Sequence, residues 1–137
     1  MESNTFDILF SDQLIEHIHP DDTKLHFELA HRILKVGGKY IFRTPHSLSG
    51  PYDISRYFSD EPECFHLKEW TYLEIKTLLL DLKYANFQAR FRKKTLDLRL
   101  PFIYFAMLEK ILKCFPKHSI KKIAKLLIPT LYGVATK

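Results

Sequence analysis

The pair Gly37-Gly38 separates an amphipathic helix from a β-prone segment, and that junction restricts the possible folds more than any other feature. Before it, Leu25, Leu29, Ala30, Ile33 and Leu34 recur at spacings of three and four, opposite Lys24, Glu28, His31, Arg32 and Lys35. Pro20-Asp21-Asp22 opens this helix, and the two glycines stand where a left-handed cap ends one. After them, residues 39–44 (K-Y-I-F-R-T) read as a strand stopped by Pro45. Ahead of the helix, residues 6–11 (F-D-I-L-F-S) form an apolar run without turn residues, the pattern of a strand buried on both faces. Strand, helix and strand in such close succession are the unit of a parallel sheet.

The same glycines set a limit on chemistry. Gly37, Gly38, Gly50 and Gly133 are the only four in 137 residues, so the chain contains no G-x-G and cannot build a dinucleotide fingerprint or a phosphate loop. Residues 46–69 follow as a polar, irregular connection with five acids, long enough to suggest a functional or lid-like loop. Thr71 and Glu74 make a T-x-x-E capping box for a helix that buries Ile75, Leu78, Leu79 and Leu82, runs to about Tyr84 and stops near Asn86. Phe87, Ala89 and Phe91 alternate with Gln88, Arg90 and Arg92 as in a strand with one covered face. The pattern is then helical from Phe102 to Phe115 and from Ser119 to Ile128, and residues 131–136 read as a final strand.

Several function classes drop out. Cys64 and Cys114 match no metal or redox spacing, and the N-terminus shows neither a basic flank nor a long apolar stretch, so a reducing, cytoplasmic setting is expected. The longest uncharged apolar run, Leu100 to Leu108, is far short of the roughly twenty residues that cross a bilayer. A mean hydropathy of −0.17 with abundant large apolar residues argues for a packed core. The net charge of +5 divides into −6 over residues 1–81 and +11 over residues 82–137. The basic half is compatible with an anionic membrane surface or with a solvated helix face, and lacks a nucleic-acid reading module.

Taken in order, F-D-I-L-F-S-D-Q-L-I-E-H-I from Phe6, R-I-L-K-V-G-G-K-Y-I-F-R-T-P from Arg32 and F-H-L-K-E-W-T from Phe65 resemble the C-terminal half of a class I S-adenosylmethionine-dependent methyltransferase, of the type 11 kind. Val36 stands where that family usually has Pro, a mild departure because the glycines make the turn. The resemblance implies an α/β, Rossmann-like fold, reduced to strands 4-5-7-6 of the family's order 3-2-1-4-5-7-6, with flanking helices, the last strand antiparallel and an α-helical insertion before it. It divides the chain into residues 1–94 as the half-domain, 95–130 as a helical insertion or cover, and 131–137 as the final strand of the same domain. It also implies that the glycine-rich turn holding the cofactor lies outside this sequence.

The implied activity is methyl transfer from S-adenosylmethionine to a small-molecule acceptor, lost or incomplete in a truncated chain. Ser11, Asp12 and Gln13, just past the first strand, would line the methionine part of the cofactor, where open parallel sheets bind ligands. Glu16-His17 matches the family's E-H pair, with His17 either a general base or a residue that orders the pocket. Some relatives place a divalent metal on E-x-x-E-H; here Gln13 replaces the first acid, and no metal is expected. Thr44, His46, Arg56, Tyr57 and His66 would face the acceptor, with Arg56 either clamping an acidic group or pairing with Asp53. His19, His26, His31 and His118 are expected at the surface. Two alternatives stand beside catalysis. One is a non-catalytic subunit docking through residues 6–10 onto a protein that supplies the missing half, and the other is a basic peripheral membrane binder.

Overall fold

The computed structural model describes residues 2–93 and 95–137; the side chains of Lys93, Lys117 and His118, and with them the expected surface position of His118, lie outside the described residues. Five strands form one sheet: β1 (Phe6–Asp12), β2 (Leu34–Pro45), β3 (Asn86–Lys93), β4 (Leu96–Arg99) and β5 (Thr130–Thr136). Their spatial order is β1-β2-β5-β3-β4. β1 and β2 are parallel, whereas β5 inserts antiparallel between β2 and β3. The first four positions therefore reproduce the strand order implied by the sequence. β4 adds an antiparallel edge beside β3, and it falls in a stretch whose sequence reads as helical.

The helices α1 (Pro20–Ile33), α2 (Tyr72–Asp81), α3 (Phe102–Lys113) and α4 (Lys117–Leu127) complete the fold. Their apolar residues meet the sheet through Phe27 of α1, whose ring lies 5.5 Å from both Tyr40 and Phe42, and through Phe102 of α3, 5.9 Å from Phe87. Alternate residues of β2 (Tyr40, Phe42 and Thr44) are buried on that side, as the strand period of two requires. Gly133 of β5 is needed here, because a Cβ would stand 2.5 Å from the Phe42 ring.

Three local readings are corrected. Helix α1 ends at Ile33 with an extended C-cap at Leu34, so the glycines do not cap it; Gly37, at φ +79, lies within β2, where the register against β1 shifts. The turn after α2 uses Lys83 at φ 61, three residues before Asn86. β1 is not buried on both faces: Ile8 is 60% and Phe10 69% exposed, because β1 is an edge strand with β2 as its one described neighbour. No described helix is long and apolar enough to cross a membrane.

Candidate functional site

The carboxyl ends of β1 and β2 bring the expected residues to one end of the sheet. Ser11 is buried with its Oγ 2.7 Å from the Tyr40 hydroxyl. Burial pushes that phenol up to about 12 despite the Ser11 contact, so it stays protonated at neutral pH. The Asp12 carboxylate receives the Arg43 guanidinium through Nε and through Nη2 at 2.7 Å. Gln13, exposed at φ 52, turns the chain and donates its backbone N–H to the Arg43 carbonyl at 2.9 Å. An open cleft of about 510 Å³ lies beside this end, lined by Phe10, Asp12, Ile41, Arg43, Arg92 and Tyr132 among others.

A single 3₁₀ turn, Ile15–His17, then sends successive side chains in different directions. Ile15 and Glu16 point inward with no exposed surface, while His17 faces outward. Thr44 at the end of β2 donates its hydroxyl to Glu16 Oε2 at 2.9 Å, and Glu16 Oε1 has no hydrogen-bond partner. Leu67 and Lys68 donate backbone N–H groups to the Glu16 carbonyl, which pins the long connection against this turn. His17 Nδ1 lies 2.8 Å from the Phe65 carbonyl and its ring is 5.0 Å from that of His66.

The connection itself is organised by buried carboxylates. Asp53 accepts from the backbone N–H groups of Ser55, Phe65 and His66 and from the Ser55 hydroxyl. Glu69 accepts from Tyr52 N–H at 2.7 Å and sits 2.7 Å from His66 Nδ1. Desolvation raises the Glu69 pKa against the lowering effect of these contacts. Arg56 does not pair with Asp53; its Nη2 donates to the exposed Tyr57 hydroxyl at 2.6 Å and its guanidinium lies over that ring.

Two residues expected to face an acceptor are enclosed. Thr44 has no exposed surface, and neither has His46, whose Nε2 is 2.8 Å from Glu109 Oε1. Glu109 also accepts the Tyr72 and Leu73 N–H groups, so a carboxylate from α3 caps the N-terminus of α2. Sequence reasoning missed this residue. The available signal was its isolation, since Glu109 is the sole acid after Asp97. His26 and His31 are also not simple surface residues. His26 Nε2 contacts the Tyr40 hydroxyl at 2.8 Å, and the His31 ring stands 4.8 Å from Tyr84. His19 is exposed as expected, and its side chain accepts from Asp21 N–H at the start of α1.

No family model and no curated protein match this sequence. Solved structures do. The whole chain superposes on a SAM-dependent methyltransferase from Archaeoglobus fulgidus with a TM-score of 0.61 at 12% identity, covering 62% of that chain. It superposes equally completely on a SAM-dependent methyltransferase, possible histamine N-methyltransferase, from Thermotoga maritima, with a TM-score of 0.63, 15% identity and 58% of that chain. A third is the Haemonchus contortus phosphoethanolamine N-methyltransferase 2, bound to phosphomonomethylethanolamine and S-adenosylhomocysteine. There the TM-score is 0.56 at 20% identity, covering 99% of this chain and 34% of that one. The chain thus spans between about a third and two thirds of the length of these structures, and what it shares with them is the fold. Strand order, the parallel β1–β2 pair and the antiparallel β5 make this chain part of a Rossmann-like fold of the class I S-adenosylmethionine-dependent methyltransferases.

Proposed function

We propose that this chain forms the acceptor-side part of an enzyme that transfers a methyl group from S-adenosylmethionine to a small-molecule acceptor. The observation that carries this reading is the strand order β1-β2-β5-β3 superposing along its whole length on methyltransferases. The residues present fit one side of the cofactor. Asp12 and Gln13 are exposed at the end of β1 beside buried Ser11, where a carboxylate and backbone amides suit the charged methionine part. The glycines do not complete the site: Gly37, Gly38 and Gly133 lie within strands, and Gly50 is packed under the Glu69 carboxylate. Affinity for the nucleoside part therefore needs another segment. When bound, the cofactor supplies an already activated methyl group, so the protein's task is alignment and removal of a proton.

For the proton, His17 is the residue in place. A carbonyl can only accept, so the contact with Phe65 keeps the His17 proton on Nδ1 and leaves Nε2 with a lone pair. Arg56, Tyr57 and His66 on the connection are the acceptor-facing groups, whereas Thr44 and His46 hold Glu16 and Glu109 from behind. The test is calorimetric titration with S-adenosylmethionine of this chain alone and of the product of the coding region extended upstream. The extended product is expected to bind in the micromolar range and to release S-adenosylhomocysteine with an acceptor. Micromolar binding by the 137-residue chain alone overturns the division of the site.

The exposed apolar side chains of β1 favour a second reading. Phe6, Ile8 and Phe10 are 39%, 60% and 69% exposed along a free strand edge, which suits a protein partner pairing with β1. Peripheral membrane binding through the basic helices has no comparable observation behind it.

A further inference from the structure

We infer that Glu16, His17 and His66 form a binding site for a divalent transition-metal ion, with zinc as its natural probe. A carboxylate oxygen of Glu16 and one ring nitrogen from each histidine lie within 4.8 Å of one another. Donors around a tetrahedral ion with bonds of about 2.0–2.1 Å stand roughly 3.4 Å apart, a gap that rotation of the exposed His17 ring closes.

The state of Glu16 is the first argument. A carboxylate without exposed surface, receiving one hydroxyl and leaving Oε1 without a partner, is costly unless a proton or a cation joins it. The second argument is the preparation of both imidazoles. His17 Nδ1 donates to the Phe65 carbonyl and His66 Nδ1 to the Glu69 carboxylate, so in each neutral ring the lone pair is on Nε2. Each ligand thus has a fixed partner behind it: Thr44 behind Glu16, a carbonyl behind His17 and a carboxylate behind His66. Metal-binding histidines are held in this manner, and the partner fixes the ring and raises its basicity. Two histidines and one carboxylate leave a coordination position for water or an acceptor oxygen.

Backbone contacts show why residues fifty positions apart meet. Leu67 and Lys68 donate to the Glu16 carbonyl, while Asp53 holds the Phe65 and His66 amides, so His66 is fixed on both sides. The site does not depend on the methyl-transfer reading, since its signature is metal occupancy. With an ion on Nε2, His17 is a ligand and not a base.

The test is titration of the chelator-stripped chain with zinc, and with cobalt followed by visible absorption. One ion per chain is expected. His17→Ala and His66→Ala should each weaken binding by at least about 10- to 100-fold, and Glu69→Gln by about 10-fold. His19→Ala should leave it unchanged. Far-UV circular dichroism checks the fold of each variant, and X-ray absorption at the zinc edge of the wild-type chain gives a readout independent of variants. Two imidazoles and an oxygen shell are expected there. Lack of stoichiometric binding, unchanged binding in the double histidine variant, or a shell dominated by sulfur from the exposed Cys64 or Cys114 overturns the inference.

Discussion

Two ends of this molecule reverse the ordinary relation between polarity and burial. Around the long connection, Glu16, Thr44, His46, Asp53, Ser55, Glu69 and Glu109 are buried. Along β1, Phe6, Ile8 and Phe10 are exposed. The first region holds its polar groups inside because nearly every one accepts or donates: Asp53 and Glu109 each take several backbone N–H groups that a loop would otherwise leave unpaired. The second exposes apolar side chains because a strand edge has hydrogen-bonding capacity left over and nothing described beside it. The difference teaches that the connection is a finished structure and the edge is a surface shaped for something else.

Breaking the finished side should give the largest effect. Glu109→Ala strands the His46 ring and two amides at the start of α2, and a loss of about 3–5 kcal/mol in urea unfolding is expected. If the loss is below about 1 kcal/mol, the cap is not what holds α2 and α3 together. A smaller, pH-dependent effect comes from the packing of α1 on the sheet. Burial lowers the His26 pKa, so the folded state prefers the neutral ring. Its contribution is complete above the ordinary value of 6.5 and is lost as the pH falls through the lowered folded value. Unfolding midpoints should therefore fall from pH 7.5 to pH 5.5, with a shallower slope in His26→Asn. Glu69 acts with the opposite sign: its pKa is raised, so its contribution is present below 4.5 and is lost as the pH rises through the raised value. The smallest effect belongs to the edge. Phe10→Lys should change stability by no more than about 0.5 kcal/mol while reducing any self-association seen by sedimentation. A large destabilisation would mean that β1 is already packed.

The strand–helix–strand unit, the capping box at Thr71 and the order of four strands were legible because they depend on period and on local hydrogen bonds. Edge strand β4 was not, since its four residues all have exposed side chains and no buried face to impose an alternation. The function of Gly37 was misplaced for a related reason. A left-handed glycine looks the same in sequence whether it caps a helix or shifts the register of a strand.

The site divides along the same line. Residue order alone identified Ser11, Asp12, Gln13 and His17 as lying past the first strand, because short-range geometry carries each from the strand to the turn. It also assigned His46 to an acceptor, whereas the fold encloses that ring against Glu109, sixty-three residues away. Gln13 in place of an acid argued against a metal as long as only neighbours in sequence were counted. The third donor, His66, comes from a connection held by carboxylates that accept backbone N–H groups. Sequence determined which side chains carry chemistry and in what local frame. Only the tertiary structure decided which of them share one low-dielectric space, because that depends on how distant segments satisfy one another's buried polar groups.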